Sequence, residues 1–298
     1  MRADRLLTMS VVRPWRNLGL RAREQRIPVL MYHSISADGD EKEHAYFRTT
    51  TKPEIFGRQM ELLRAGGYRA TGLTHARQLL SENGSAAGNK LVAITFDDGF
   101  RDFHANALPV LVKHGFSATM YLPTAFVGGP ARKFKERECM TWEEVRECRR
   151  AGVEFGSHTV NHPKLYEMGF DKICAELSDS KTEIERQLGE VITAFAYPFA
   201  FPSADVSFVK KFVELLQAAG YQSNVTTTIG RMGAGDNPFT IRRLPVNSAD
   251  DDAFFMAKLR GSYDWMNGPQ SFVKKIKSFA SGPRVAARAT AILPQTTG

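Results

Sequence analysis

The chain has 298 residues, 43% of them hydrophobic and 24% charged, with a formal net charge of +8. That is apolar material for one full core, and it excludes a disordered or low-complexity chain. Residues 1–26 carry seven arginines against Asp4 and Glu24, and residues 269–298 carry three lysines and two arginines with no acid, so each end is +5 and the body between them is about −2. A nucleic-acid-binding body is thereby excluded, because the basicity belongs to the ends.

In chain order, residues 1–26 form a basic arm in which Leu7, Val11, Trp15 and Leu18 share a helical face, interrupted or restarted at Pro14. Such an arm suits peripheral attachment to an anionic membrane; a disordered or partner-docking arm is the alternative. Apolar runs predict strands over 28–32, 91–96, 118–122, 153–157, 192–196, 223–227 and 240–246. Between them, 3.6-residue patterning predicts helices over 54–65, 100–114, 141–151, 171–188 and 204–219, the first opened by a capping box from Thr51 to Glu54. The alternation predicts an α/β fold: a single distorted (β/α) barrel of about seven parallel strands over 27–268, followed by a basic C-terminal helix or tail over 269–298. The segments 81–89 and 128–138 read as loops, the second basic and placed to cover a groove.

Chemistry gathers where strands end. The first strand ends in His33, the second in Asp97, Asp98 and Gly99, and the fourth runs into His158-Thr159-Val160-Asn161-His162-Pro163. Two histidines four apart and one carboxylate make a three-ligand set with a position left for water, the arrangement of catalytic rather than structural zinc. No stretch approaches the length of a membrane-spanning helix, and no apolar signal region follows the first arginines. Cys139, Cys148 and Cys174 lack metal-type spacing, so reduced thiols are expected. A cytoplasmic protein, peripheral at the inner membrane, is the expectation.

Thr95-Phe96-Asp97-Asp98-Gly99 and Ser157-His158-Thr159-Val160-Asn161-His162-Pro163 resemble the first two motifs of the polysaccharide deacetylases of carbohydrate esterase family 4, and Phe195-Ala196-Tyr197-Pro198-Phe199-Ala200 looks like the third. The resemblance covers roughly residues 28–246. It implies that Asp97 is the catalytic base, that Asp98, His158 and His162 hold a divalent metal, Zn2+ by preference, and that the Phe199 backbone N–H faces the oxyanion. It also implies an N-acetylated glycan substrate from which acetate is released, a bacterial polysaccharide; the expected location at the inner membrane extends this to a glycolipid, the lipid-linked precursor of such a polysaccharide. Tyr32, Tyr197, Pro198 and Phe201 are the candidate sugar-contacting residues.

The chain departs from the pattern twice. Where the family has an arginine that orients the base, this chain has Ala196; Arg243 is the candidate replacement. The family also places a catalytic histidine on a late strand, yet no histidine follows His162. His33 fills that role if the chain resembles the circularly permuted deacetylases of poly-N-acetylglucosamine and related exopolysaccharides, whose last family strand stands first. Two alternatives are a metal-dependent amidase or esterase acting on a small molecule, and a catalytically inactive sugar-binding member of the family.

Overall fold

The computed structural model describes residues 2–17, 26–40, 42–83, 90–129 and 132–270. Seven parallel strands close on themselves: β1 (Val29–Tyr32), β2 (Leu91–Phe96), β3 (Thr119–Leu122), β4 (Glu154–Ser157), β5 (Ala194–Ala196), β6 (Ser223–Ile229) and β7 (Ile241–Pro245). Each pairs with the next in chain order, and β7 returns to β1 with Leu244 opposite Leu30, which leaves no open edge within the ring. The first strand of the chain thus lies between the last and the second, the position a permuted order requires.

Side-chain alternation divides the core in two. Val29, Ala93, Tyr121, Ala194, Ala196, Val225 and Ile241 fill the barrel interior, whereas Leu30, Tyr32, Ile94, Phe96, Phe195 and Leu244 face the surrounding helices. Those helices include Pro53–Ala65, Trp142–Arg150, Phe170–Leu188 and Val206–Ala218, each within two residues of its expected start. A short strand, Arg69–Thr71, the helix Leu73–Asn83 and the helix Asp252–Leu259 were not foreseen.

Prolines explain where helices differ from expectation. The helix over 100–114 opens as a π turn, Phe103–Ala107, before the α-helix Leu108–His114, and the N-terminal helix passes through a π turn, Thr8–Val12, before Pro14. Widening the turn ahead of a proline makes room for a ring that has no N–H to give.

The capping box expected at Thr51 does not form. Thr51 belongs to the short strand Thr50–Thr51, its hydroxyl is buried without a partner, and Lys52 occupies the cap position without a side-chain bond. Pro53 at the first helical position makes that cap less needed, since it has no N–H to satisfy. A reciprocal box does form at Thr141 and Glu144. Residues 271–298, and 84–89 of the glycine-rich loop, lie outside the described residues.

Candidate active site

Alternation decides which strand-end groups meet. Thr95 and Asp97 share the interior face of β2, and Arg243 shares that of β7 with Ile241; all converge above the apolar filling of the barrel. Arg243 is 1% exposed, and its two terminal nitrogens donate to Asp97 Oδ1 and Oδ2, each at 2.7 Å. Nη1 also reaches Thr95 Oγ1 at 3.2 Å, and Nε donates to the Thr226 carbonyl at 3.1 Å. That carbonyl lies where the β6 and β7 registers shift between Val225 and Ile229. Burial alone would raise the Asp97 pKa, but the Arg243 charge outweighs it and holds this carboxyl well below the usual carboxylate range. His33 is partly exposed, with Nε2 3.9 Å from Asp97 Oδ2. Burial lowers its pKa, and the charges of Asp97 and Asp98 pull the other way.

Asp98, His158 and His162 form a buried triad whose ligand atoms all lie within 4.8 Å of one another. Asp98 Oδ1 stands 3.6 Å from His158 Nε2 and 3.3 Å from His162 Nε2, and this buried oxygen has no hydrogen-bond partner. The other carboxylate oxygen, Oδ2, accepts from Lys135 Nζ at 3.0 Å. His158 Nδ1 lies 2.7 Å from the Ala196 carbonyl, which fixes the ring and turns Nε2 to the triad. Burial lowers the pKa of both histidines, that of His162 to about 3, so both imidazoles are in the neutral form that binds metal. Two neutral nitrogens and an orphaned carboxylate oxygen fit a divalent ion of the zinc type.

The loop that carries the histidines is held from behind by Glu176, which accepts from the Val160 and Asn161 N–H groups and from Asn161 Nδ2. Asn161 therefore shapes the loop. Thr159 Oγ1 accepts from the His162 N–H at 2.9 Å. Phe199 is 44% exposed, its ring 4.6 Å from that of His162, and its carbonyl accepts from Thr227 Oγ1 at 3.0 Å. No described residue accepts from its own N–H.

The other aromatics expected at the groove are elsewhere. Tyr32 is fully buried on the helix-facing side of β1, stacked on Phe96, with its hydroxyl on Gln59. Tyr197 and Phe201 are each 1% exposed, edge to face with one another, Tyr197 also against Phe212 of a flanking helix; Pro198 is buried as well. Tyr32 shares the parity of Leu30, and Tyr197 that of Phe195, so both rings belong to the layer between strands and helices. Sequence reasoning missed the hairpin of Lys133–Phe134 and Arg137–Glu138, which sets Phe134 5.0 Å from the His162 ring and Lys135 on Asp98. The available signal was the basic loop at 128–138.

Residues 84–223 match the family model for polysaccharide deacetylases. The chain is 27% identical over 232 residues to the Bacillus subtilis (strain 168) protein YxkH, named as a polysaccharide deacetylase, covering 78% of this chain and 75% of that one. It is 28% identical over 157 residues to the poly-β-1,6-N-acetyl-D-glucosamine N-deacetylase of Escherichia coli (strain K12), an alignment that spans 50% of this chain and 22% of the relative. The structure of the Streptococcus pyogenes deacetylase PplD in complex with acetate superposes with a TM-score of 0.68 at 25% identity, covering 80% of this chain and 99% of that one. With this site at the mouth of this barrel, the chain carries a match to the polysaccharide deacetylase domain over residues 84–223 and is similar to polysaccharide deacetylases, hydrolases that act on amide bonds.

Proposed function

We propose that the protein removes N-acetyl groups from the amino sugars of a bacterial polysaccharide or its lipid-linked precursor, releasing acetate. The observation that carries this reading is the division of labour between adjacent carboxylates: Asp98 presents an unpartnered oxygen to two neutral histidines, and Asp97 is clamped by Arg243 outside that set. Asp98, His158 and His162 would hold the metal, with Zn2+ the proposed ion, and a bound metal would supply Lewis acidity to the acetamide carbonyl and to water. Asp97, kept ionised by Arg243, takes the proton from the attacking water. The Phe199 N–H donates to the oxygen that gains charge, and the exposed Phe199 ring beside His162 offers a face to the sugar. His33 delivers a proton to the departing amine. The names of the Escherichia coli and Bacillus subtilis relatives support a polysaccharide substrate. The Arg243 clamp argues against an inactive sugar-binding protein, because it supplies what Ala196 withholds.

The test is mass spectrometry of N-acetylated glycans and lipid-linked sugars incubated with metal-loaded protein. The expected result is a loss of about 42 mass units per acetyl group, the difference between acetamide and amine. Hydrolysis of simple esters without any loss from the glycans would make the protein a small-molecule esterase instead. His33→Ala should slow turnover by about a hundredfold with metal still bound. Loss of metal in that variant would move His33 into the ligand set.

A further inference from the structure

The N-terminal helix packs Met9 against the core but is fastened to the barrel largely through polar groups. It runs through Ala3–Leu7, the π turn Thr8–Val12 and Arg13–Asn17. A surface helix normally buries its apolar stripe and leaves its polar face wet. Here polar groups fasten it: Asp4 Oδ2 accepts from the Tyr263 hydroxyl at 2.7 Å, Thr8 Oγ1 accepts from Trp265 Nε1 at 3.0 Å, and Arg2 and Arg5 donate to Asp250 and Asp251 at 2.9 and 2.6 Å. The anchoring is substantial, since Asp250 is also bonded by the buried ammonium of Lys258 at 2.6 Å. Outward face Leu6 at 46%, Leu7 at 40%, Val11 at 46% and Trp15 at 68% exposure. Arg5, whose side chain is 37% exposed, is paired with Asp251.

We propose that this face inserts into the headgroup region of an anionic bilayer and seats the catalytic end of the barrel against it. An uncharged stripe of leucine, valine and tryptophan on a basic segment is the chemistry of an interfacial helix. Beyond the arginines already engaged by acids, Arg13, Arg16, Arg21 and Arg23 follow in sequence with Glu24 alone opposed, which complements anionic lipid. A second copy of the chain is the poorer occupant, because a symmetric contact would bring two such arginine-rich segments together. The patch adjoins the catalytic end: the helix is held by residues 250 and 251, just beyond the C-terminal tip of β7. Phe47, in the loop that leaves β1 past His33, is 67% exposed and lies edge to face with Tyr46. A bilayer-borne substrate would thus meet the site without leaving the surface.

The test is sedimentation of the full-length protein with vesicles of phosphatidylethanolamine and phosphatidylglycerol, against vesicles of phosphatidylcholine alone. Binding is expected to the first and not the second, weakened by salt, with a blue-shifted Trp15 emission read as the difference from Trp15→Phe. Val11→Asp should weaken binding by about tenfold or more while leaving the circular dichroism spectrum intact. Val11→Ser, a smaller loss of apolar area, should fall between the two. The proposal is overturned if anionic vesicles do not pellet the protein, or if both Val11 variants bind as tightly as the parent. It is equally overturned if Trp15 is already blue-shifted without lipid and becomes exposed on dilution or on removal of residues 271–298, because a second copy or the chain's own tail would then be the cover.

Discussion

The two ends of the barrel differ in which residues take a positive backbone φ. At the end where helices return to strands, Gly115 and Gly189 close their helices in the left-handed conformation, at φ of 66° and 70°. With no Cβ, that conformation costs them little. At the catalytic end, residues with side chains take it beside Gly99 at 64°: Asp98 at 73°, Thr159 at 72°, His162 at 51° and Phe199 at 58°, with Lys135 and Glu136 at 50° and 62° in the hairpin above them. Every non-glycine residue of positive φ among the described residues is in or over the site. A left-handed residue other than glycine costs about 1–2 kcal/mol, and strain persists only where surrounding structure fixes it. The difference teaches that strain is kept where a side chain must be turned out of its strand's alternation. Asp98 illustrates the point: Asp97 faces Arg243 along the strand's own parity, and the left-handed step after it swings the next carboxylate to the histidines.

If that division of roles is right, Asp97→Asn should give the largest effect. Acetate release should fall by about a thousandfold, because an amide cannot take the proton from water. Metal content by elemental analysis should stay at the parent level, since Asp97 contributes no ligand. Loss of metal along with activity would collapse the distinction between the two aspartates.

Much of this division was legible in the sequence because strands alternate and motifs sit at strand ends. The parity of β2 and β7 brings Asp97 and Arg243 to one interior face, and the ring closure that puts His33 beside Asp97 follows from strand order. Parity also contained the information that Tyr32 and Tyr197 face outward with Leu30 and Phe195, but aromatic character at a strand tip drew the opposite reading. The hairpin over the site was not legible. Its tip, Lys135-Glu136, lacks the Asn-Gly or Asp-Gly pair that signals a tight two-residue turn, and its placement depends on contacts remote in sequence, Phe134 on His162 and Lys135 on Asp98. The Thr51 capping box failed for a related reason: pairing of Thr50–Thr51 with Ser34–Ile35 took the residue for a strand.

The hairpin gives an intermediate test. Lys135 Nζ holds Asp98 Oδ2, which leaves Oδ1 to the histidines, and its positive charge opposes that of a bound cation. Lys135→Met should tighten metal binding by about tenfold, a value reduced from the full Coulomb term because the ammonium is half exposed. Competition with a chelator of known affinity reads the change. Lys135→Arg should restore the parent affinity, since it returns the charge to the same carboxylate. Weaker binding in the methionine variant would mean that the lysine serves chiefly to position Asp98.

The smallest effects test the comparison itself. Gly115→Ala places a Cβ where nothing lies within 4 Å, so its cost is conformational alone, about 1 kcal/mol by denaturant titration, with activity unchanged. Glu136→Gly should do the reverse, relieving a left-handed residue and stabilising the fold by about 0.5–1 kcal/mol. The gain is partly offset because glycine also frees the unfolded chain. If both substitutions destabilise, the hairpin tip is not strained and the two ends do not differ as argued. If Glu136→Gly stabilises but raises KM, the strain serves to hold the hairpin closed over the sugar, and the left-handed tip belongs with Asp98 and His162 among the conformations kept for chemistry.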